Sequence, residues 1–429
     1  MGVPSNQPHK ALLAAGALSA AAVVVTLRPG SAPPTPDSQV CEVGAWENPV
    51  PLAPFGTLLR SPDLEIAGGR PIVAGQNSAQ LDSATTGPLL VLGSVDPQEH
   101  MRPPRGPYRF IFPQLEVGAG DRVHLVWGES DDPASTAFDA DSPVVTELWH
   151  ATRSNGTWSE PTSVLRAPGI SWSRGQAGLY LDPTDDVLNI VVDTYPRGPE
   201  SGTGPTILIR VGDDAQVRLD TVFRAGTPIY MGLAGHAGAI HLAYADWHPE
   251  FGGTRVQVVS SQDLGRTWSE RMVLNPRSVD YPSDTWVFAD PRGNPHVVWL
   301  EMAGDPLFGS ASLFHAWRLT GSREWTNARP SPLPEGLNHR VAAMDQCGGL
   351  HLAGDALDGD GVPSLEYFQE HEGEWRSVAV PAPGIAALEP ALAAGPGGLF
   401  LAWTEVYDGS SGGRSGFRVV ASRRATRER

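Results

Sequence analysis

The stretch Gly293-Asn294-Pro295-His296-Val297-Val298-Trp299 joins a tight turn to a short strand that ends in an aromatic residue. The strand alternates with period two, as a half-buried β-strand does. Similar stretches recur roughly every 50 to 65 residues, at positions 120–127, 238–244, 348–352 and 397–403, with weaker copies at 71–74 and 188–191. Such a repeat predicts successive copies of one structural unit.

A second stretch recurs within most repeats, and it consists of a hairpin turn followed by tryptophan. It is found at residues 156–161, 266–269, 324–326 and 374–376. Each repeat therefore holds about four short strands, which is the content of one propeller blade. The sequence predicts an all-β fold, a single β-propeller of four-stranded blades.

The two chain ends bear on the number of blades. The last repeat begins near Glu389 and supplies three strands, so it lacks the strand with tryptophan. Residues 44–52 resemble that missing strand, and pairing there would close the ring and leave no open sheet edge. Seven blades are favoured on this count. Six remain possible if residues 57–112 do not form a full blade.

The N-terminus has the layout of an export signal. Lys10 precedes an uncharged apolar run at residues 11–27, and a proline-rich stretch follows it. Residues 1–32 are predicted to be a signal peptide or a membrane anchor. A linker at 33–43, the propeller at 44–422 and a charged tail at 423–429 complete the predicted organisation. The chain is expected to be exported and then secreted or tethered by its N-terminal segment.

Charge and cysteine content limit the partners and the compartment. The net charge is −17 and the 31 Lys and Arg residues form no long basic run, which excludes a duplex-binding stripe. Cys41 and Cys347 are the two cysteines. Both fall in segments expected on one face of the propeller, so a disulfide between them would staple the ring in an oxidising compartment. The alternative is two unpaired cysteines in the core.

Residues 261–268 read Ser-Gln-Asp-Leu-Gly-Arg-Thr-Trp and match the Asp-box turn, S-x-D-x-G-x-T-W. With the repeated strands, this motif makes residues 44–422 resemble the sialidase-like Asp-box (BNR) propellers. The resemblance implies structural roles for Ser261, Asp263, Gly265 and Trp268. It places the motif on the face opposite the active site.

The resemblance also implies what an active sialidase needs: three arginines that clamp a carboxylate, a Tyr nucleophile with a Glu, and an Asp acid/base. The nearest match to the first arginine segment is Tyr108-Arg109-Phe110-Ile111-Phe112-Pro113. It departs from the family pattern by two extra residues before the proline. The other catalytic residues are not recognisable by motif.

Two groups of charged residues are candidates for ligand binding on that opposite face. Inter-blade segments carry about one arginine per blade, and convergent arginines would form an anion site. These are Arg60, Arg109, Arg174, Arg224, Arg277 and Arg340. Four acids follow an aromatic residue by two positions, and aromatic rings beside carboxylates suit sugars. They are Glu129, Asp246, Glu301 and Glu405. Both sets also have a structural interpretation, in which the arginines are solvated or paired and the acids lie in water.

Histidines and aspartates complete the candidates. Four histidines recur at one blade position: His124, His241, His296 and His351. They are predicted to make hydrogen bonds between blades. The symmetry of the ring places them too far apart to bind one zinc ion together. Residues 355–361 and the loop with Asp131, Asp132, Asp139 and Asp141 are rich in oxygen ligands. Ca²⁺ is a possible ligand there, although the spacing matches no calcium loop; no other cofactor is expected.

Three functions are compatible with these patterns. The first is a non-catalytic propeller that binds a glycan or protein outside the cytoplasm. The second is an exo-sialidase-type glycoside hydrolase with an arginine clamp. The third is a structural propeller of a cell-surface assembly. Convergent arginines beside a Tyr–Glu pair would favour the second, whereas dispersed arginines would favour the first or third.

Overall fold

A computed structural model describes the chain from Cys41 to Glu428, and these residues belong to one compact unit. The predicted signal or anchor at 1–32 lies outside the described residues, as does most of the predicted linker. Of several strand-end residues, Arg109 among them, only the backbone is described. Segments within the range that are not described are 54, 78–88, 94–98, 102–108, 131–144, 173–176, 195–203, 213–215, 225–227, 249, 251–252, 277–280, 304–309, 329, 335–336, 358–360, 372–373, 396 and 409–414.

The described residues form thirty β-strands and one short 3-10 helix, Ala119–Asp121. The first half of the chain contains β1 (Cys41–Trp46), β2 (Val50–Pro51), β3 (Leu59–Ala67), β4 (Arg70–Asn77), β5 (Leu89–Gly93), β6 (Glu99–Met101), β7 (Arg109–Val117), β8 (Val123–Ser130), β9 (Val145–Ser154), β10 (Thr157–Trp158), β11 (Thr162–Ser171), β12 (Gly178–Asp182), β13 (Val187–Thr194), β14 (Thr206–Val211) and β15 (Val217–Phe223).

The second half repeats the same pattern of antiparallel strands. It contains β16 (Ile229–His236), β17 (Ala239–His248), β18 (Gly253–Ser261), β19 (Met272–Val273), β20 (Tyr281–Ala289), β21 (Pro295–Ala303), β22 (Ser310–Trp317), β23 (Ser331–Pro332), β24 (Asn338–Met344), β25 (Leu350–Leu357), β26 (Pro363–His371), β27 (Glu374–Ser377), β28 (Ala386–Gly395), β29 (Gly398–Asp408) and β30 (Ser415–Glu428).

The strands are arranged as seven consecutive units, which we call blades one to seven. Blade one is β3–β6, blade two β7–β11, blade three β12–β15, blade four β16–β19, blade five β20–β23, blade six β24–β27 and blade seven β28–β30 with β1 and β2. Blades two and three share one sheet because the end of β11 pairs with β13. The first strand of each blade contacts the first strands of its neighbours, and β28 contacts β3. The predicted all-β propeller is confirmed.

The N-terminal strand closes the last blade, as the sequence predicts. Both β1 and β2 pair with β30, and the register places Cys41 opposite Glu428 and Trp46 opposite Arg424. Two predicted boundaries are corrected by this pairing. The strand β1 starts within the expected linker, and residues 423–428 continue β30 rather than forming a tail, because β1 supplies their hydrogen-bond partners.

Apolar side chains fill the seams between blades. Between blades four and five, for example, Ala243, Val287 and Trp299 belong to one buried cluster. Trp127, Trp299 and Trp403, from the repeated strand, are all fully buried in this way. The sequence repeat is therefore a packing repeat: in blades two, four, five and seven, the aromatic at the same position of the second strand fills a seam. Among the described residues, no helix is long and apolar enough to cross a membrane.

The Asp-box residues form a tight turn between β18 and β19. Asp263 accepts hydrogen bonds from the Thr267 backbone N–H (2.8 Å) and the Thr267 hydroxyl (2.7 Å), which lower its pKa to about 2. The Ser261 hydroxyl accepts from the Gly265 N–H at 2.7 Å. Gly265 has φ +78°, which favours glycine, and Trp268 packs on the seam between blades three and four.

Candidate functional site at the mouth face

Antiparallel order gives the propeller two different faces. Turns from first to second strand and from third to fourth strand, including the Asp-box, share one face. The other face carries the starts of the first strands and the ends of the second strands, and we call it the mouth face.

A strained bulge recurs at the mouth end of the first strands. In blades two and four to seven the pairing register shifts at this point. A non-glycine residue there has positive φ: Phe112 (45°), Tyr230 (54°), Asp284 (36°), His339 (43°) and Glu389 (50°). Such conformations cost roughly 1–3 kcal/mol each and concentrate at functional sites. This repeated backbone strain favours the mouth face as the functional face.

Three of the bulges bring together a tyrosine, a carboxylate and a guanidinium from consecutive blades. The Arg340 Nε lies 2.7 Å from the Asp284 Oδ2, and the Arg340 Nη1 donates to the Leu337 carbonyl at 3.1 Å. Burial raises the pKa of Tyr230, Asp284 raises it further, and Arg340 opposes both. Tyr230, Asp284 and Arg340 form what we call the mouth cluster.

A histidine–aspartate pair lies next to the mouth cluster. The His339 Nδ1 is 2.9 Å and 3.1 Å from the two carboxylate oxygens of Asp355, which is buried. Asp355 Oδ2 also accepts a hydrogen bond from the backbone N–H of Glu389 at 2.9 Å. Because Glu389 begins the bulge of blade seven, this aspartate joins blades six and seven while orienting an imidazole that is about half exposed.

A second tyrosine–carboxylate–arginine group lies in blade seven. The Tyr407 hydroxyl donates to Glu405 Oε2 and accepts from Arg418 Nη2 at 2.5 Å. Burial raises the pKa of Tyr407, and Glu405 adds to the increase while Arg418 counteracts it. The Arg418 guanidinium also lies over the Tyr407 ring, 5.1 Å from its centre.

The four predicted acids accept hydrogen bonds within their own blades, and Glu301 also accepts one from Asn275 Nδ2 of blade four at 2.8 Å. Glu129 accepts from the Trp127 indole N–H at 3.2 Å, and Glu301 accepts from the Trp299 indole at 2.8 Å. Asp246 accepts from the Trp247 backbone N–H at 2.7 Å. All four are buried, so the structural interpretation that placed them in water is wrong. In blades two and five the tryptophan and the acid are two residues apart and lie on the same side of the strand. The indole N–H can therefore donate a hydrogen bond to the carboxylate.

The six predicted arginines differ in their positions and in how much of them the structure describes. Arg340 belongs to the mouth cluster, and Arg224 is exposed after β15. Arg174 and Arg277 lie outside the described residues. Arg60 and Arg109 begin mouth-end strand segments, where only their backbones are described. Within the described side chains, convergence of several arginines is therefore not observed.

Through Nδ1, the recurring histidines bond within their own blade. Each Nδ1 meets a group on the neighbouring third strand: His124 meets His150 Nε2 (3.1 Å), His241 meets Ser260 Oγ (2.8 Å), His296 meets His315 Nε2 (2.9 Å) and His351 meets Tyr367 OH (2.6 Å). Burial lowers the pKa of His150 to about 3 and that of His241 to about 4, so both are neutral. The prediction of inter-blade contacts is wrong for the Nδ1 bonds, but His124 Nε2 does lie 3.6 Å from Asp186 Oδ2 of blade three.

Neither oxygen-rich loop is described completely. Asp131, Asp132, Asp139 and Asp141 lie outside the described residues, as do Asp358 and Asp360. Asp355 is engaged with His339 and Glu389, as above. In the parts of the chain that the structure describes, no group of three or more His, Cys, Asp or Glu is arranged to hold a metal.

A cluster of acids lies on the first strands of blades one and two. Burial, with a contribution from Asp63, raises the pKa of Glu116 to about 8. The pKa of Glu65 is also raised by burial and then by Glu116 and Asp63. Asp63 itself accepts the Leu115 backbone N–H at 2.6 Å. These carboxyls share a site in which charge is disfavoured.

At pH 8 to 9 we expect Glu116→Gln to be more stable than the wild type by about 1 kcal/mol or more. Folding raises this pKa above its unfolded value of about 4.3, so the wild type loses stability as the pH rises from about 4.3 to about 8. Glutamine does not titrate, and the difference should vanish near pH 4. Urea unfolding at several pH values measures it. Glu374→Gln, at an exposed position, is the control, and an equal difference for both variants would contradict this account.

Comparison with known proteins supports the fold. No family model matches the chain, and no curated protein matches it. A solved protein of unknown function from Dyadobacter fermentans has TM-score 0.51 and 12% identity, covering 75% of this chain and 95% of the other. An ulvan lyase bound to -[GlcA(1-4)Rha3S]- has TM-score 0.55 and 11% identity, covering 87% and 95%.

A third similar structure is an α-L-arabinofuranosidase from Fusarium graminearum. Its TM-score is 0.50 and its identity 14%, and the match covers 75% of this chain and 95% of the enzyme. Identities this low show that the fold is shared and nothing finer. Membership of the sialidase-like family stays a prediction.

Proposed function

We propose that the protein is an extracytoplasmic propeller that binds a glycan at the mouth face of blades four to six. The mouth cluster carries the proposal: the bulges of three consecutive blades place Tyr230 near the Asp284–Arg340 ion pair, and Tyr230 and Asp284 have positive φ. Strain of this kind persists only where the surrounding structure imposes it, which is typical of ligand sites. Two features support export: the apolar N-terminal run, and the disulfide bond of Cys347, since disulfides form in oxidising compartments.

The chemistry of the mouth cluster suits a sugar. A guanidinium and a carboxylate present fixed donors and acceptors to hydroxyl or carboxylate groups, and a tyrosine adds an amphipathic ring. Two of the similar structures are of proteins that act on sugars: an ulvan lyase bound to -[GlcA(1-4)Rha3S]- and an α-L-arabinofuranosidase. A glycan with a carboxylate would pair with Arg340, and Asp284 would orient that side chain.

Removal of single groups from the mouth cluster should weaken glycan binding while the fold persists. We expect Arg340→Gln to raise the Kd about tenfold or more, because a charge-assisted hydrogen bond contributes roughly 1.5–3 kcal/mol. Tyr230→Phe should raise it by less. The probes are a glycan array with sialyllactose, ulvan oligosaccharides and arabino-oligosaccharides, followed by calorimetry on each binder.

Arg166→Gln is the matched control, because it breaks an Arg–Glu pair at 2.8 Å on the outer strand of blade two, where Arg166 is 70% exposed. Its Kd should equal that of the wild type. Glycan binding that neither mouth variant changes would move the site elsewhere. Failure of the folded protein to bind any glycan would leave a structural propeller of a surface assembly as the better account.

Glycan cleavage is a second candidate, and the blade-seven group favours it. Tyr407 is hydrogen-bonded to Glu405, the residue type that the sialidase resemblance pairs with a tyrosine nucleophile, and also to Arg418. Turnover of a fluorogenic sialoside, lost in Tyr407→Phe and retained in Arg166→Gln, would establish it. Binding without turnover of sialoside, ulvan or arabinan substrates would leave the protein a non-catalytic binding module.

A further inference from the structure

Two aspartates face each other at the mouth end of the seam between blades three and four. On β13, Val191 packs in this seam, and Asp193 lies two residues further along on the same side of the strand. On β17, Tyr244 packs in the same seam, and Asp246 lies two residues further along on the same side. Both aspartates are buried, and both come near the end of a second strand. We call Asp193 and Asp246 the carboxyl pair.

The two carboxyls have unequal surroundings. Burial raises the pKa of Asp193 to about 7. Hydrogen bonds from the Thr194 backbone and the Thr206 hydroxyl oppose that rise, and the charge of Asp246 adds to it. Asp246 has a cationic partner, because Arg271 Nη1 lies 3.9 Å from Asp246 Oδ2, whereas within the described residues no cation pairs with Asp193. Below about pH 7, Asp193 therefore keeps a proton beside the carboxylate of Asp246.

A buried hydroxyl beside the carboxyl pair has no partner among the described residues. Tyr244 is fully buried, and its hydroxyl makes no hydrogen bond to any of them. Burial raises the pKa of Tyr244, Arg271 opposes the rise and Asp246 adds to it, so the hydroxyl lies near both charged groups. Buried hydroxyls in proteins are normally hydrogen-bonded. An oxygen of a ligand in this seam would supply the missing partner.

The carboxyl pair is next to the mouth cluster. Ala245 precedes Asp246 and lies opposite Ile229 in the strand register. Tyr230, the residue after Ile229, belongs to the mouth cluster. Neighbouring strands are about 5 Å apart, so the next unit of a glycan held at Tyr230 would reach this seam. The bond between those two units would then lie beside the carboxyl pair.

We propose that Asp193 and Asp246 hydrolyse a glycosidic bond of the oligosaccharide that the mouth cluster binds. This inference rests on the proposed function and adds an activity at a place other than the blade-seven group. Asp193 gives its proton to the bridging oxygen as the bond from that oxygen to the anomeric carbon breaks. Asp246 takes a proton from a water molecule whose oxygen bonds to the anomeric carbon. One water is consumed; Asp246 then releases its proton to solvent, and Asp193 regains one from solvent.

The surroundings of the carboxyl pair match these two roles. A general acid must hold its proton at the working pH, and its partner must be a carboxylate. Burial provides the first condition for Asp193, and the ion pair with Arg271 provides the second for Asp246. The Tyr244 hydroxyl would donate a hydrogen bond to a sugar oxygen at the cleaved bond.

The test compares two kinds of substrate in the full-length protein. The unactivated probes are sialyllactose, saturated ulvan tetrasaccharide and arabinotetraose, and the activated probes are the methylumbelliferyl sialoside, glucuronide and arabinofuranoside. We expect the wild type to cleave both members of at least one such pair. Asp193→Asn should lower kcat/KM for the unactivated member about a hundredfold or more, the usual contribution of a general acid. It should lower kcat/KM for the activated member less than about tenfold, because a good leaving group needs little protonation.

The second variant and the control separate catalysis from a structural effect. Asp246→Asn should lower kcat/KM about a hundredfold for both members, because the attacking water needs its base whatever the leaving group. Glu270→Gln, which changes an exposed acid just after the Asp-box turn of blade four, should match the wild type. The Kd of Asp193→Asn for the unactivated oligosaccharide should stay within about threefold of the wild type, which shows that the variant folds.

The pH profile gives an independent readout. Around Asp193, the titratable side chains that the described part of blade four presents on this seam are Tyr244, Asp246, His248, Arg255 and Arg271. The wild-type kcat/KM for the unactivated substrate should fall as the pH rises through about 7, because Asp193 loses its proton there. Asp193→Asn should lack this fall, and that comparison separates the titration of Asp193 from that of His248.

Several results would overturn the assignment. Turnover that Asp193→Asn and Asp246→Asn leave unchanged would do so, and turnover that Tyr407→Phe alone abolishes would move the reaction to the blade-seven group. Glycan binding without turnover of any probe would also overturn it and leave the mouth cluster as a binding site only. Absence of binding to any glycan would overturn the proposed function itself.

Discussion

Cys347→Ser should lower the free energy of unfolding by about 5 kcal/mol in the chain-entropy account of cross-links. Cys347 is disulfide-bonded, and Cys41 is the only other cysteine in the sequence. Their bond would close a loop that contains blades one to five and the first strand of blade six, and the entropy that a cross-link removes from the unfolded chain grows with loop length. Guanidinium unfolding of wild type and variant measures the difference.

Reduction supplies the control for this substitution. The wild type in dithiothreitol should unfold with the variant's midpoint, whereas the variant should be insensitive to the reductant. Peptide mapping without reduction should recover residues 41 and 347 in one linked fragment. An oxidised wild type no more stable than the reduced one would contradict the expectation, and a different linkage would contradict the pairing.

Arg424→Ala should cost about 3–5 kcal/mol, the loss that follows when a buried charged group is removed from its partners. Arg424 is buried in β30, and its Nε donates to the Gly44 carbonyl at 2.5 Å. Its Nη1 donates to the Tyr367 hydroxyl at 3.2 Å and lies over the Tyr367 ring. The side chain thus connects the N-terminal strand, the last strand and blade six.

A matched arginine separates this role from a general effect of charge. Arg376 is 59% exposed and lies 3.8 Å from an exposed glutamate in the same region, so Arg376→Ala should cost about 1 kcal/mol or less. Hydrogen exchange should show β1 amides losing protection in Arg424→Ala. Equal losses of stability for the two substitutions would contradict a special role for Arg424.

The repeat made the fold predictable from the sequence. The second strands of blades two, four, five and seven carry an aromatic at the same position because that residue fills a seam between blades, so structure and sequence share one period. The closing strand was predictable because the last repeat lacks a strand. The length of this strand was not predictable. Charged residues such as Glu42 and Arg427 lie opposite each other in the strand register only because the backbone of a segment distant in sequence pairs with them.

The mouth cluster was harder to predict. Tyr230 and Asp284 lie in bulges, where the local register rather than polarity decides which side chain reaches the mouth face. A bulge adds one residue and changes the hydrophobic pattern little. One local signal exists: Pro62, Pro113 and Pro390 mark the shift in blades one, two and seven. Proline is tolerated there because a bulged residue does not need to donate a backbone N–H to the neighbouring strand.

Pairing of β1 with β30 also sets an order of assembly. The strand β1 is synthesised hundreds of residues before its partner, so its backbone groups stay without that partner until the fourteen-residue strand β30 has been made. Contacts between segments so distant in sequence form slowly. The final blade is therefore completed last, and loss of a few C-terminal residues would leave an otherwise finished molecule with an open, aggregation-prone edge.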